Sequence, residues 1–248
     1  MKINVGQILS ESVSFYKGYF NKLVVISLSV SLVSFLVTAY THITGYAQTK
    51  FNDTPLMLLL FSLMMLVIMI FALVIMTKVS LAMPILINAL FDKSNMTARE
   101  AFQQTRGKFW RLVGYSLVVG MLYFPFSVII FTKIPFASAI GTIYTAFISS
   151  MFYTLFPMIA IEAKTTSYLG KSVKMIKGNY IPVLILTFVT VTTLSVINSV
   201  LTYVFQGKTT ELFMIGIVYA IAYFFVYPFA GVTTVIVYRR LKSSNIKD

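Results

Sequence analysis

The chain has 248 residues, 58% of them hydrophobic and only 11% charged, with a formal net charge of +13. A soluble domain carries about 25% charged residues, and a core of this size could not hide so much apolar surface, so the composition calls for lipid as solvent and excludes an ordinary water-soluble protein. There is no cysteine and only one histidine, His42, which removes disulfide frameworks, Cys sites and His-cluster metal chemistry; no metal and no cofactor are expected. In a membrane chain the positive balance reads as basic loops facing anionic lipid, and no nucleic-acid partner is expected.

The first twenty residues include Glu11 and Lys17 and lack a small-residue cleavage site after a short apolar core, so a signal peptide is not expected. Residues 4–17 predict an interfacial helix, opened by Asn4 and Gln7 at N-cap and N3 spacing. Val5, Ile8, Leu9, Val13 and Tyr16 share one face, the pattern of a helix in the headgroup plane or packed under its own bundle. The first span is expected from Leu23 to about Tyr46 and the second from Pro55 to Phe91. Thirty-odd helical residues reach about 50 Å, beyond a hydrocarbon core of about 30 Å. That helix therefore tilts or projects, and Lys78 is expected to snorkel rather than to face the bundle interior.

Thr97 and Glu100 form a capping box for a second amphipathic segment. The third span, Leu112 to Phe131, is bent near Pro125; a loop with Lys133 follows, and the fourth span runs from about Phe136 to Ile161. Thr165, Thr166 and Ser167 offer N-caps for a third amphipathic helix, with Leu169, Val173 and Ile176 on its apolar face. The fifth span is expected at about Ile181–Phe205, with Asn198 bonding across helices. Gln206 to Glu211 is a polar turn, and the sixth span ends at Tyr238 before Arg239, Arg240 and Lys242.

Each amphipathic segment runs into the same tetrad, basic–Gly–any–aromatic: Lys17-Gly18-Tyr19-Phe20, Arg106-Gly107-Lys108-Phe109 and Lys177-Gly178-Asn179-Tyr180. Composition alone predicts about 0.14 copies. Register extends the match: six residues before the glycine stand Ser12, Ala101 and Ser172, and five after it Leu23, Leu112 and Val183. A proline then falls late in each unit, at Pro84, Pro157 and Pro228, and each is expected to kink its helix. The glycine-to-proline interval is 50 residues in the second and third units and 66 in the first. The expectation is an all-α integral membrane protein forming one domain over residues 1–248. Its six spans form three units, about 4–92, 97–164 and 166–242, each an amphipathic helix plus a transmembrane hairpin.

Sixteen basic residues fall on one side of this topology and three on the other, which predicts both termini in the cytoplasm. None of the seven acidic residues lies mid-span, no two share helical spacing, and no catalytic motif is present, so no catalytic residue is expected. Lys17, Gly18, Arg106, Gly107, Lys177 and Gly178 are the candidate anchors for anionic lipid headgroups, against plain positive-inside anchoring. Glu162 is the candidate structural or functional carboxylate, able to pair with Lys164, Lys171 or Arg106.

Pro157, Glu162, Gly170-Lys171-Ser172 and Lys177-Gly178-Asn179-Tyr180 resemble the bacterial multipass domain named for the membrane portion of glycerophosphodiester phosphodiesterases. That family's pattern is a span ending in Pro, a Glu, an Ala-Leu-Lys-Arg-Ser-like helix, and a basic-Gly-aromatic entry to the next span. Here Leu169-Gly170 replaces its Ala-Leu, and Arg99 to Trp110 resembles the preceding unit. The resemblance implies a six-span helical domain in a bacterial cytoplasmic membrane. The phosphodiesterase activity belongs to a separate soluble barrel absent here and is not implied. The expected role is a membrane subunit or accessory factor, in export, envelope maintenance or immunity to membrane-active peptides. Its partners would be lipids and a membrane protein or a second copy. The alternatives are a small transporter or lipid flippase using a cavity between the hairpins, and an interfacial enzyme using Glu162.

Overall fold

Long runs of mostly apolar residues give helices longer than a bilayer is thick. A computed structural model describes residues 3–50, 55–131, 137–162, 167–190, 193 and 211–245. Among them the regular elements are helices: α1 (Val5–Lys50), α2 (Pro55–Phe91), α3 (Ala98–Gln103), a 3₁₀ turn (Arg106–Lys108), α4 (Phe109–Phe131), α5 (Ala137–Met151), α6 (Leu155–Ile161), α7 (Tyr168–Ile176), α8 (Tyr180–Thr190) and α9 (Glu211–Asn245). Four stretches, Val5–Tyr40, Leu59–Phe91, Ile143–Ile161 and Gly216–Ser244, are long and apolar enough to cross a membrane, and the bent pair α7–α8 would make a fifth. Lys133, Lys164, Asn198, residues 206–210 and most of the fifth expected span beyond Thr190 lie outside the described residues.

The expected separate helix at residues 4–17 is corrected by the structure: α1 runs unbroken through Lys17-Gly18 for 46 residues. A glycine inside a helix costs about 0.5–1 kcal/mol relative to alanine. The aromatic residues around Gly18 offset it: Phe15 stacks on Phe91 at 4.2 Å, and Phe20 meets Phe224 and Phe225 at 5.9 and 6.2 Å. The three tetrads therefore differ. Gly107 sits in the 3₁₀ turn, whereas Gly178 has φ +87° and turns the chain so that α7 and α8 meet at 105°. Gly178→Ala is expected to destabilise by about 1–2 kcal/mol because L-residues resist that region. Gly18→Ala and Gly107→Ala should be neutral or slightly stabilising, since a Cβ there meets nothing within 4 Å. Thermal unfolding of the three variants in detergent checks this.

The prolines also act differently from one another. Pro84 and Pro228 lie inside the unbroken helices α2 and α9. The expected continuous fourth span is instead interrupted at Phe152–Thr154, upstream of Pro157. Pro157 cannot donate to the Tyr153 carbonyl four residues back, and its ring crowds that carbonyl. The chain turns there, with Leu155 N donating to Phe152 O at 2.9 Å.

Helix α1 lies antiparallel to α2, with Tyr40 Oη donating to Phe61 O at 2.8 Å near one end and the Phe15–Phe91 stack near the other. It also lies antiparallel to α9, where Ser12 Oγ is 3.1 Å from Thr233 Oγ1 and Glu11 meets Arg240. The start of α1 and the end of α9 thus share one end of the bundle. Helix α2 reaches α9 through Ser80 Oγ and Tyr227 Oη, 3.1 Å apart. A Cβ on Gly231 would stand 2.9 Å from Met83 Cγ, so the glycine sets that close approach. The helices that carry Pro84, Pro157 and Pro228, α2, α6 and α9, touch one another.

The packed core occupies the basic end. Downstream of Lys78 nearly every α2 residue from Val79 to Leu90 is buried, among Ile8, Leu23, Leu112, Met158, Tyr168 and Val232 to Tyr238. Upstream, α2 from Leu56 to Leu73 exposes large apolar side chains on several faces. Lys78 itself is exposed, as snorkelling requires.

Candidate functional site

Glu162 ends α6, its N–H donating to Met158 O at 2.9 Å and its backbone turning extended. This sets the side chain between α7 and α9. Oε2 accepts from Lys171 Nζ at 2.6 Å, and Oε1 accepts from Tyr238 Oη at 2.8 Å. Lys242 Nζ stands 3.5 Å from Oε1 and donates to Tyr238 Oη at 3.2 Å. The Glu162 side chain is only 9% exposed. Burial raises its carboxyl pKa, but the hydrogen bonds from Lys171 and Tyr238 and the charges of Lys171 and Lys242 outweigh burial and leave it below the ordinary value. Of the sequence-expected partners, Lys171 is realised. Arg106 is exposed and makes no ion pair with Glu162 among the described residues, and Lys164 lies outside them.

A depressed carboxyl pKa gives stability that is complete above the unfolded-state value of about 4.3 and is lost as pH falls through the folded value. Unfolding midpoints are therefore expected to hold through neutral pH and to fall below about pH 4.3. Glu162→Gln should flatten part of that acid limb, as titration of both proteins in detergent would show.

The same end carries further bonds between distant segments. Lys108 Nζ donates to Ala160 O, and burial, with the nearby Arg111 charge, pushes its pKa down. Arg111 Nη1 donates to Tyr168 Oη at 2.7 Å. Arg239 pairs with Asp92 at 2.8 Å and donates to Asn88 Oδ1 at 2.7 Å, and Arg240 pairs with Glu11 at 2.5 Å. Glu100 closes the expected capping box with Thr97. Glu11, Asp92, Glu100 and Glu162 are thus each held by a cation or a backbone N–H. Among the described residues no group of three His, Cys, Asp or Glu side chains is placed to hold a metal ion.

The six expected anchors are all exposed: Lys17 and Gly18 on α1, Arg106 and Gly107 in the 3₁₀ turn, and Lys177 and Gly178 at the α7–α8 bend. The third tetrad also binds protein, since Asn179 Oδ1 accepts from Ile3 N at 2.7 Å and Tyr180 Oη lies 2.9 Å from Ser150 Oγ. Ser167 is the N-cap of α7, accepting from Gly170 N at 3.3 Å. The buried face of α7 is Tyr168, Ser172, Met175 and Ile176 rather than Leu169, Val173 and Ile176. Ser172 can be buried because its hydroxyl meets Thr154 Oγ1 at 2.9 Å, and Tyr168 because Arg111 bonds its hydroxyl.

Next to this end lies a cavity of about 460 Å³, walled by α4, α5, α6, α8 and α9 and by the turn between α5 and α6. Among the described residues its lining is apolar apart from hydroxyls, including Tyr123, Ser149, Tyr153, Thr187, Thr190 and Thr234, and holds no charged residue. Tyr123 Oη and Ser149 Oγ bond each other at 2.8 Å. The three threonines donate to their own helix carbonyls. The Tyr153 hydroxyl is buried with no hydrogen-bond partner among the described residues.

No family model matches the chain, and neither a curated protein nor a solved structure is detectably similar to it.

Proposed function

We propose that the chain is a non-catalytic, multipass protein of a bacterial cytoplasmic membrane, a membrane subunit or accessory factor working through helix packing and lipid contacts. The observation that carries this reading is the condition of Glu162. Both its oxygens are engaged, and its pKa is depressed, whereas a general acid needs a proton near neutral pH. Glu11, Asp92, Glu100 and Glu162 serve as clamps and caps, and exposed cationic residues such as Lys17, Arg106 and Lys177, without an ion pair among the described residues, stand at the same end. The topology proposed with it is six spans in three units, with that basic end and both termini in the cytoplasm. Three observations support it: α1 begins beside the end of α9, the helices bearing Pro84, Pro157 and Pro228 converge, and Ser12 and Ser172, equivalent by register, are each fully buried against a threonine. The likeness to the membrane portion of glycerophosphodiester phosphodiesterases enters this proposal for the fold only.

A small transporter or lipid flippase is the second reading. It draws on the cavity, whose uncharged walls fit an apolar chain better than a polar solute. Native mass spectrometry after gentle extraction tests both. The accessory reading expects a stoichiometric protein partner or second copy, with anionic lipid lost on Lys17→Gln, Arg106→Gln and Lys177→Gln together. A bare monomer that moves lipid across liposomes would replace it with the second reading.

A further inference from the structure

We propose that a plane through Lys22, Lys78 and Phe225 is where the protein meets the headgroups of the leaflet on its basic side. Lys22 and Lys78 receive the phosphates of anionic phospholipids there, and the packed basic end beyond the plane stands out in water. The inference rests on the membrane location proposed above but not on the accessory role.

The outward faces of three helices change character at this level. Up to Lys22 the exposed residues of α1 are polar or glycine, among them Gln7, Ser10, Ser14, Lys17 and Asn21, with Val13 the exception. From there to Tyr40 they are Val25, Leu28, Leu32 and Leu36. On α2 large apolar side chains are exposed as far as Leu73, Lys78 is exposed, and none is exposed from there to Phe91. On α9 Ile221 and Phe225 are exposed, and no large apolar side chain is exposed beyond them. Contacts put the three changes at one height. Ser80, two residues past Lys78, bonds Tyr227, two past Phe225, at 3.1 Å. Phe225 stacks at 6.2 Å on Phe20, two residues before Lys22. Lipid covers what lies above. Leu56, Met57, Leu66 and Met69 alone spread over about 240° of α2 at about 100° per residue, whereas a packed helix covers a stripe of about 100°. Length agrees. The uncharged residues 55–77 rise about 34 Å as a helix, close to a hydrocarbon core of about 30 Å. Residues 79–91 add about 20 Å beyond the plane, apolar because neighbouring helices cover them. The helix therefore projects. Lys22 and Lys78 are exposed and make no ion pair among the described residues, which leaves their charges for anionic headgroups. Lys17 lies about 7 Å further out, at the outer edge of the headgroup layer.

The chain has no cysteine, so a single introduced cysteine reports its position without background. Full-length Ser14→Cys, Lys17→Cys, Val25→Cys, Leu28→Cys, Leu73→Cys and Ser94→Cys, all at exposed positions, would each carry one nitroxide. They would be reconstituted in vesicles of phosphatidylglycerol and phosphatidylcholine. Relaxation of the nitroxide by oxygen, which collects in lipid, is compared with relaxation by a water-soluble nickel chelate. The chelate is expected to dominate at Ser14, Lys17 and Ser94, and oxygen at Val25, Leu28 and Leu73. Oxygen dominating at Lys17 or Ser94 would sink the basic end into the bilayer and overturn the plane. The chelate dominating at Val25 or Leu73 would overturn it from the other side. Spin-labelled lipids then test the phosphate contacts. Phosphatidylglycerol should exceed phosphatidylcholine about 3-fold in the lipid immobilised by the protein. That preference should fall below about 1.5-fold in Lys22→Gln/Lys78→Gln and persist in Lys93→Gln/Arg99→Gln, two exposed cations beyond the plane. A preference that survives the first pair, in a protein with an unchanged melting temperature, or that falls equally with the second, overturns the assignment to Lys22 and Lys78. These readouts are the same whichever way the chain inserts and whether or not a protein partner is found, so their failure would leave the accessory reading standing.

Discussion

Glu162→Ala is expected to destabilise the protein by about 2–3 kcal/mol in detergent unfolding. The substitution leaves the buried Tyr238 hydroxyl without its acceptor, at about 1–3 kcal/mol for an unsatisfied group. It also leaves Lys171 and Lys242 facing each other with nothing between them. Both lysines are 44% exposed, so solvent screens their share and the total stays below the figure for a fully buried pair. Glu162→Gln keeps the shape and one acceptor for Tyr238 and should cost about 1 kcal/mol. If the role is structural, biological function should follow stability across the two variants. Loss of function in a well-folded Glu162→Gln protein would instead mark Glu162 as a reacting group.

Leu86→Ala should cost about 3–4 kcal/mol, whereas Leu63→Ala on the same helix should cost less than about 0.5 kcal/mol. Leu86 is fully buried and Leu63 is 51% exposed. The difference follows from the solvent. Lipid tails are as apolar as leucine, so a leucine within the bilayer gains little by facing another helix. Under the proposed topology the basic end stands in water, which drives the same side chain inward. Parallel SDS titrations of the two variants measure the contrast, and equal losses would mean that the exposed part of α2 packs against something in the membrane.

The local features of this fold were legible in the sequence, and the long-range ones were not. The Thr97–Glu100 capping box, the Ser167 cap and the Glu162–Lys171 pair involve groups within nine residues of each other, where spacing alone brings partners together. The partners of Glu162 on α9, and the pairs Arg239–Asp92 and Arg240–Glu11, join segments 76 to 229 residues apart, and no helical period reports them. Tyr238, Arg239, Arg240 and Lys242 read as the end of a span, and their bonding roles depend on which helices adjoin. The apolar face of α7 was misjudged because hydrophobicity alone ranks Leu169 and Val173 above Tyr168 and Ser172. Burial follows the satisfied hydroxyl instead. Gly18 was misread as a break because a glycine weakens a helix only slightly, and flanking aromatic contacts can hold it straight.

The pairing of α1 with α9 bears on how the protein is made. α1 leaves the ribosome before α9, so Ser12 and Glu11 wait for Thr233 and Arg240 through the synthesis of more than two hundred residues. Until then one flank of α1 is available to chaperones, insertion machinery and wrong neighbours. The loop this pairing closes is more than two hundred residues long, and the entropy of closing it is met only once α9 has been made. A chain stopped before α9 would present Glu11 without Arg240 and a bare α1 flank.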